Sequence, residues 1–137
     1  MKTPYKKHKI DACPCGTGKL FMDCCGVFIF DEKNPATPEQ LMRSRYTAYT
    51  LADVGYIERT MKSPALDDFD LDAAREWAQQ NKWLGLKVIR AEQVLANGIV
   101  EFIATWSVNN KKESMHEVSQ FILENGKWFY VDGDMVK

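Results

Sequence analysis

The chain has 137 residues, a formal net charge of -1, 45% hydrophobic and 27% charged residues, and four cysteines. That length suits one domain with a core of its own, and the near-neutral balance argues against a general polyanion binder. No segment approaches the roughly 18 consecutive apolar residues of a membrane-spanning helix and no apolar run opens the chain, so the reading is a cytoplasmic protein without a membrane association.

Charge is unevenly spread. Residues 1–30 carry Lys2, Lys6, Lys7, Lys9 and Lys19 against Asp11 and Asp23, with a basic tip at Lys6-Lys7-His8-Lys9. The first twelve residues hold little that could be buried and read as a solvated tail. All four cysteines follow within thirteen positions, at Cys13, Cys15, Cys24 and Cys25. Four thiols match the ligand count of a closed tetrahedral site, which builds structure and leaves no open position for chemistry. Adjacent Cys24 and Cys25 cannot pair without a strained ring, and Gly16, Gly18 and Gly26 stand where the backbone must turn towards sulfur. One zinc ion is the expected occupant; iron also accepts four tetrahedral sulfurs. Gly16-Thr17-Gly18-Lys19 is not a nucleotide-phosphate loop, because that motif needs glycine at position 13 and serine or threonine at position 20, where Cys13 and Leu20 stand.

Val27-Phe28-Ile29-Phe30 is a short apolar run suited to docking the cysteine segment on the rest of the chain, and Asn34-Pro35 marks a connection. The expected division is a tail and metal knuckle over 1–30 and a main domain over 31–137. Thr37-Pro38-Glu39-Gln40 predicts a helix start: a threonine cap, proline at the first helical position and glutamine three residues after the cap. Leu41, Met42, Arg45, Tyr46, Ala48, Tyr49 and Ala52 then share one face. A second helix from Asp53 would bury Val54, Ile57 and Met61 before Ser63-Pro64, and a third from about Asp72 would turn Ala73, Ala74, Trp77 and Ala78 inward.

Beyond Asn81 the period changes to two. Leu84, Leu86 and Val88 alternate, then the apolar positions shift to Ile89 and Ala91, predicting a bulge near Val88 to Arg90. Val100, Phe102, Ala104, Trp106 and Val108 alternate in the next strand. Asn109 to Lys112 and Asn125-Gly126 are hairpin turns on either side of a strand from Met115 to Glu124, and a last strand follows from Trp128. Three helices followed by four antiparallel strands predict an α+β domain.

Cys13 to Gly26 resembles the SEC-C motif, the zinc knuckle also found in the SecA translocation motor, and Leu41 to Tyr49 resembles the signature helix of the YchJ-like family of uncharacterised bacterial proteins. Val100-Glu101-Phe102, Glu117-x-Ser119-x-Phe121 and Gly126-x-Trp128-x-Tyr130-x-Asp132-Gly133 extend the resemblance over nearly the whole chain. It implies a domain like that of nuclear transport factor 2, a cone in which a strongly curved antiparallel sheet wraps round a long helix. Members often carry a second cysteine motif; one copy is present here. The mouth of such a cone would be walled here by Tyr46, Tyr49, Trp106, His116, Tyr130 and Asp132. Arg45, a cation on an apolar face, needs a partner, and acids such as Asp67 and Asp68 are within the chain's reach.

No catalytic set is specified by spacing. The first functional reading is therefore a non-enzymatic interaction or adaptor module, whose knuckle and tail dock a protein or ribonucleoprotein surface, with a homodimer through the sheet compatible with the fold. The other is a small-molecule-binding or catalytic cone with a purely structural zinc knuckle. Direct nucleic-acid binding is disfavoured, because four thiolates and one divalent ion remove most of the positive charge of residues 1–30.

Overall fold

The computed structural model describes residues 11–137. The basic tip at Lys6 to Lys9 lies outside the described residues. A 3-10 turn at Phe21–Asp23 leads into a one-turn helix α1, Gly26–Ile29, then α2, Pro38–Thr50, and α3, Val54–Arg59. A second 3-10 turn, Ala65–Asp68, precedes α4, Leu71–Gln80. Four strands complete the fold: β1, Lys82–Val94; β2, Asn97–Val108; β3, Lys111–Glu124; and β4, Lys127–Met135. They form one antiparallel sheet in chain order. The α+β expectation is met, and no helix among the described residues is long and apolar enough to cross a membrane.

Local chemistry explains the helix starts. Thr37 Oγ1 accepts a hydrogen bond from the Gln40 amide at 3.1 Å, while Gln40 Oε1 reaches back to the Ala36 amide at 2.7 Å. The reciprocal cap read from the sequence is present, shifted by one residue on its return leg. Asp53 accepts from the Tyr56 amide and Asp70 from the Ala73 amide, so α3 and α4 begin with carboxylates against their exposed N–H groups.

α2 is enclosed on most sides: Leu41, Ser44, Thr47 and Ala48 are fully buried, and Met42, Arg45 and Tyr46 nearly so. Ser44 Oγ meets Tyr56 Oη at 2.7 Å and fixes α3 against it. The inner face of the sheet supplies Val100, Phe102, Ala104 and Phe121 to the same core. Just after α3, the Tyr130 amide donates to the Thr60 carbonyl and the Lys62 amide to that of Tyr130, tying the helical layer to β4.

Three single-residue bulges bend the sheet round α2. Register shifts fall between Trp83 and Gly85, between Val88 and Arg90, and opposite Gln120 and Phe121, where Val131 is the extra residue. A bulge sharpens the right-handed twist, which is how an antiparallel sheet becomes strongly curved. The bulge near Ile89 is the expected one. The one at Leu84 reverses an expectation: Trp83 takes the inner position and Leu84 is 47% exposed. Asn125-Gly126 is the two-residue turn predicted, with positive φ at both residues, whereas the first turn is shorter than predicted: Asn109 and Asn110 alone, also at positive φ, with Lys111 and Lys112 already paired in β3.

Candidate functional site: a cysteine knuckle and a cavity on two faces of one helix

Cys13, Cys15 and Cys25 are buried and Cys24 is half-buried; all four are free thiols, and their sulfurs lie within 4.8 Å of one another. Four sulfurs at about 2.3 Å from a common centre would stand roughly 3.8 Å apart. The 3.6 Å between Cys15 Sγ and Cys24 Sγ agrees with that spacing. Gly16 and Gly18 both have positive φ, 87° and 86°, and the turn they make returns the chain so that the Cys13 amide donates to the Lys19 carbonyl at 2.8 Å.

The protons of the cluster are unevenly held. Hydrogen bonding with Cys15 pushes Cys13 up to about 11. Hydrogen bonds from Cys13 and Cys25 hold Cys15 well below the ordinary thiol value, and Cys13 and Cys15 together push Cys25 far up. Four thiolates packed this closely require a cation among them. The donor set fits a soft tetrahedral metal: Cys13, Cys15, Cys24 and Cys25 would hold it, and a site with all four positions filled by protein supplies rigidity rather than a reactive water.

The knuckle is built into the core. Phe21 is fully buried and packs edge-on to Phe30 with ring centroids 5.5 Å apart. Arg43 Nη1 of α2 donates to the Cys15 carbonyl at 2.6 Å, and Thr47 Oγ1, one turn on, is 3.7 Å from Cys13 Sγ. The same helix turns Met42, Arg45, Tyr46 and Tyr49 towards a cavity of about 540 Å³. That size is in the range of small-molecule sites, roughly 300–1,000 Å³.

An aromatic wall closes one side of the cavity. Trp77 of α4 and Trp83 of β1 meet at 5.1 Å between centroids, Tyr49 lies 5.6 Å from Trp77, and Tyr46 lies 5.8 Å from Trp83. The opposite side is polar. Glu117 and Ser119 of β3 are both buried, and Glu117 Oε2 accepts from Ser119 Oγ at 2.6 Å and from Tyr130 Oη at 3.2 Å. Arg45 stacks on Tyr130, with its guanidinium carbon 4.6 Å from the ring centroid, and its Nη1 donates to the Ile57 carbonyl and to Thr60 Oγ1. Burial lowers the Arg45 pKa, but a guanidinium remains a cation. Burial also pushes Tyr46 up to about 12 and raises Tyr49 and Tyr130, so all three phenols keep their protons.

Gly133 makes room for this polar corner. A β-carbon there would overlap Glu117 Oε2 and come within 2.7 Å of the Tyr130 hydroxyl.

The family description "YchJ, middle NTF2-like domain" matches residues 37–133. The chain belongs to the YchJ-like family. The UPF0225 protein of Geobacter sulfurreducens is 39% identical over 128 residues, covering 91% of this chain and 80% of its own. The solution structure of a SEC-C motif containing protein from Rhodopseudomonas palustris superposes with a TM-score of 0.84 at 40% identity, over 91% of this chain and 98% of that one. The crystal structure of a SEC-C motif containing protein from Psychrobacter arcticus gives 0.79 at 27% identity, over 96% and 86% respectively. The fold is therefore the nuclear transport factor 2-like cone with a SEC-C cysteine cluster, in a family whose members are uncharacterised.

Of the residues named as pocket walls in this YchJ-like chain, Arg45, Tyr46, Tyr49 and Tyr130 do line the cavity. Trp106 backs the aromatic wall instead, 5.5 Å from Trp77 and 5.7 Å from Trp83. His116 is on the outer face of β3, between the inward Met115 and Glu117, where its Nε2 is 2.6 Å from Glu101 Oε2. Arg90, bonded to that carboxylate at 2.8 Å, is the larger cause holding Glu101 below the ordinary carboxylate range, with His116 second.

Asp132 also leaves the cavity. Tyr130 faces inward opposite Phe121, but the extra Val131 shifts parity, so Asp132 pairs with the outward Gln120 and bonds the Gly133 amide at 2.9 Å. Arg45 does not form the expected ion pair: no carboxylate of a described residue lies within ion-pair distance, and the Ile57 carbonyl, Thr60 hydroxyl and Tyr130 ring are its partners. Glu117 and Ser119 line the cavity as well and are not among the residues expected there from the sequence. Their signal was parity: Met115, Glu117, Ser119 and Phe121 alternate along one strand, with two polar residues in inward places.

Proposed function

We propose that this chain is a small-molecule-binding cone whose SEC-C knuckle holds one structural zinc ion. The observation carrying this reading is a cavity of about 540 Å³ that combines an aromatic wall with buried Arg45 and Glu117. Burying a cation and a carboxylate without a direct ion pair between them is costly in a structural core. At a binding site the cost is offset when a ligand completes their hydrogen bonds. The metal's part is to fix the Cys13 to Cys25 loop against Arg43 and Thr47, on the helix that also carries the cavity residues.

The reading is tested by saturation-transfer NMR of the full chain with two uncharged probes, indole and 2-naphthol. Both are expected to bind, and Ala74→Phe, which adds a ring to a cavity-lining position of α4, is expected to weaken them at least about tenfold by occupying their space. Absence of binding by either probe, or binding unchanged in a folded Ala74→Phe protein, counts against a ligand cavity.

A second reading, docking of a protein or ribonucleoprotein through the knuckle, is supported by one observation. Gly16 to Leu20, the rim of the cysteine loop, is exposed, with Leu20 at 46%. A Lys19→Glu, Leu20→Ser double variant leaves the four thiols and the core untouched. Affinity capture with it is expected to lose partners recovered by the wild type; identical recovery would remove the rim as an interface.

A further inference from the structure

Two buried polar groups in the cavity have unfilled hydrogen-bonding capacity, and together they define the edge of a ligand. Arg45 is 8% exposed and Glu117 6%. Arg45 commits Nη1 to Ile57 and Thr60, and among the described residues nothing accepts from its Nε or Nη2. Glu117 commits Oε2 to Ser119 and Tyr130, and no described residue donates to its Oε1. Among the described residues, the one fully sealed side-chain nitrogen or oxygen without a partner is Asn81 Nδ2. The remaining donors of Arg45 and the second oxygen of Glu117 therefore open onto the cavity they line.

These groups lie on either side of Tyr130, Arg45 over its ring and Glu117 at its hydroxyl. A ligand satisfying both offers an acceptor to Arg45 and a donor to Glu117. The aromatic wall of Tyr46, Tyr49, Trp77 and Trp83 favours a flat ring system. Charge narrows the class further. The lining holds three carboxylates, Asp68, Asp70 and Glu117, against the single guanidinium of Arg45, so a phosphate or a second carboxylate would meet net negative potential. A zwitterionic amino acid would require two further charges to be desolvated, which a neutral ligand avoids.

Building on the ligand-binding reading, we propose that the cavity takes an uncharged planar heteroaromatic with a lactam edge, a ring carbonyl beside a ring N–H, as in oxopurines, pyrimidinones and pterins. The carbonyl accepts from Arg45 and the N–H donates to Glu117 Oε1. The free base or nucleoside is bound in preference to its phosphorylated form.

Calorimetric titration of the metal-loaded full chain compares 4(3H)-quinazolinone with quinazoline, which has the same bicycle and no lactam, and inosine with inosine monophosphate. Quinazolinone is expected to bind, with quinazoline about tenfold weaker for loss of the paired contacts, and inosine to bind more tightly than its monophosphate. Glu117→Gln is expected to narrow the quinazolinone preference. If that variant misfolds, Asp68→Asn at the exposed rim is expected to narrow the gap between inosine and its monophosphate. Equal binding of quinazolinone and quinazoline overturns the lactam assignment, and so does tighter binding of the monophosphate or of free tryptophan than of quinazolinone. If 2-naphthol still binds in an Ala74→Phe-sensitive manner in those cases, the cavity reading stands without the lactam; if nothing binds, both fall.

Discussion

Protein purified without chelator is expected to carry about one zinc per chain, and stripping that ion is expected to release the cysteine loop while the sheet stays folded. Ligation by four thiolates is worth on the order of 10 kcal/mol, far more than one buried side chain such as Phe21 can hold in place by itself, about 2–3 kcal/mol. Without metal, the ligation that cross-links Cys13, Cys15, Cys24 and Cys25 is gone, and the loop opens. The cone then loses Phe21 from its core. That loss is smaller than the stability of a typical domain, about 5–15 kcal/mol, and α2 and the sheet share further buried contacts through Leu41, Val100, Phe102 and Phe121.

Hydrogen exchange before and after chelation resolves this residue by residue. Amides of 11–30 are expected to lose protection, while those joining β2 to β3 keep most of theirs. Collapse of protection across the sheet would show that the metal holds the whole protein together. Unchanged protection in the loop after metal removal would show that the knuckle folds on its own.

Phe21→Ala should be the most damaging single substitution in the knuckle that leaves the thiols intact. Phe21 is fully buried in the same cluster as Leu41, Ile57 and Trp128, and its ring packs on Phe30. Removing a fully buried phenylalanine costs about 3–5 kcal/mol, combining lost transfer energy with the cavity left behind. The Gly26 backbone, where a β-carbon would stand 2.8 Å from the Phe21 carbonyl and 3.1 Å from its ring, leaves little slack for that cavity to close. Leu20→Ala next to it removes a side chain that is 46% exposed, and its effect is expected to stay within about 0.5 kcal/mol. Urea denaturation of the zinc-loaded proteins separates the two, read as a change in midpoint at constant slope. A Phe21→Ala loss under about 1 kcal/mol would falsify the view that the knuckle is part of the core.

Both experiments bear on how the two ends of the function meet. Arg43 and Thr47 face the cysteine loop, and Met42, Arg45, Tyr46 and Tyr49 face the cavity, so α2 belongs to both. Opening the loop removes the Arg43 bond to Cys15 and the packing on one side of that helix. A ligand affinity measured before and after chelation would therefore report on the same structural element.

Much of this was legible in the sequence because it depends on residues close together in the chain. Thr37, Asp53 and the change of period beyond Asn81 mark elements through local hydrogen bonding and burial parity. The four cysteines are a candidate metal site by ligand number and spacing alone. Resemblance in the Leu41 to Tyr49 helix and the glycine-turned knuckle pointed to the family. The cavity was read less well. The resemblance implies His116 and Asp132 at the mouth of the cone, but β3 parity turns one to the outer face and the Val131 bulge turns the other. Glu117 and Ser119 share the inward parity of Met115 and Phe121, but only the packing of the sheet against α2 places them in one cavity with Arg45.

By itself, then, the sequence determined the order of helices and strands, the four-cysteine segment and the central helix, since caps, turns and repeat periods act over a few residues. Only the tertiary structure decided that the knuckle is packed into the core through Phe21, and that Arg45 and Glu117 flank Tyr130 with hydrogen bonds to spare. The physical reason is that these contacts join residues far apart in the chain, and that each bulge adds one residue to a strand, reverses which face every later side chain of that strand takes, and bends the sheet against α2.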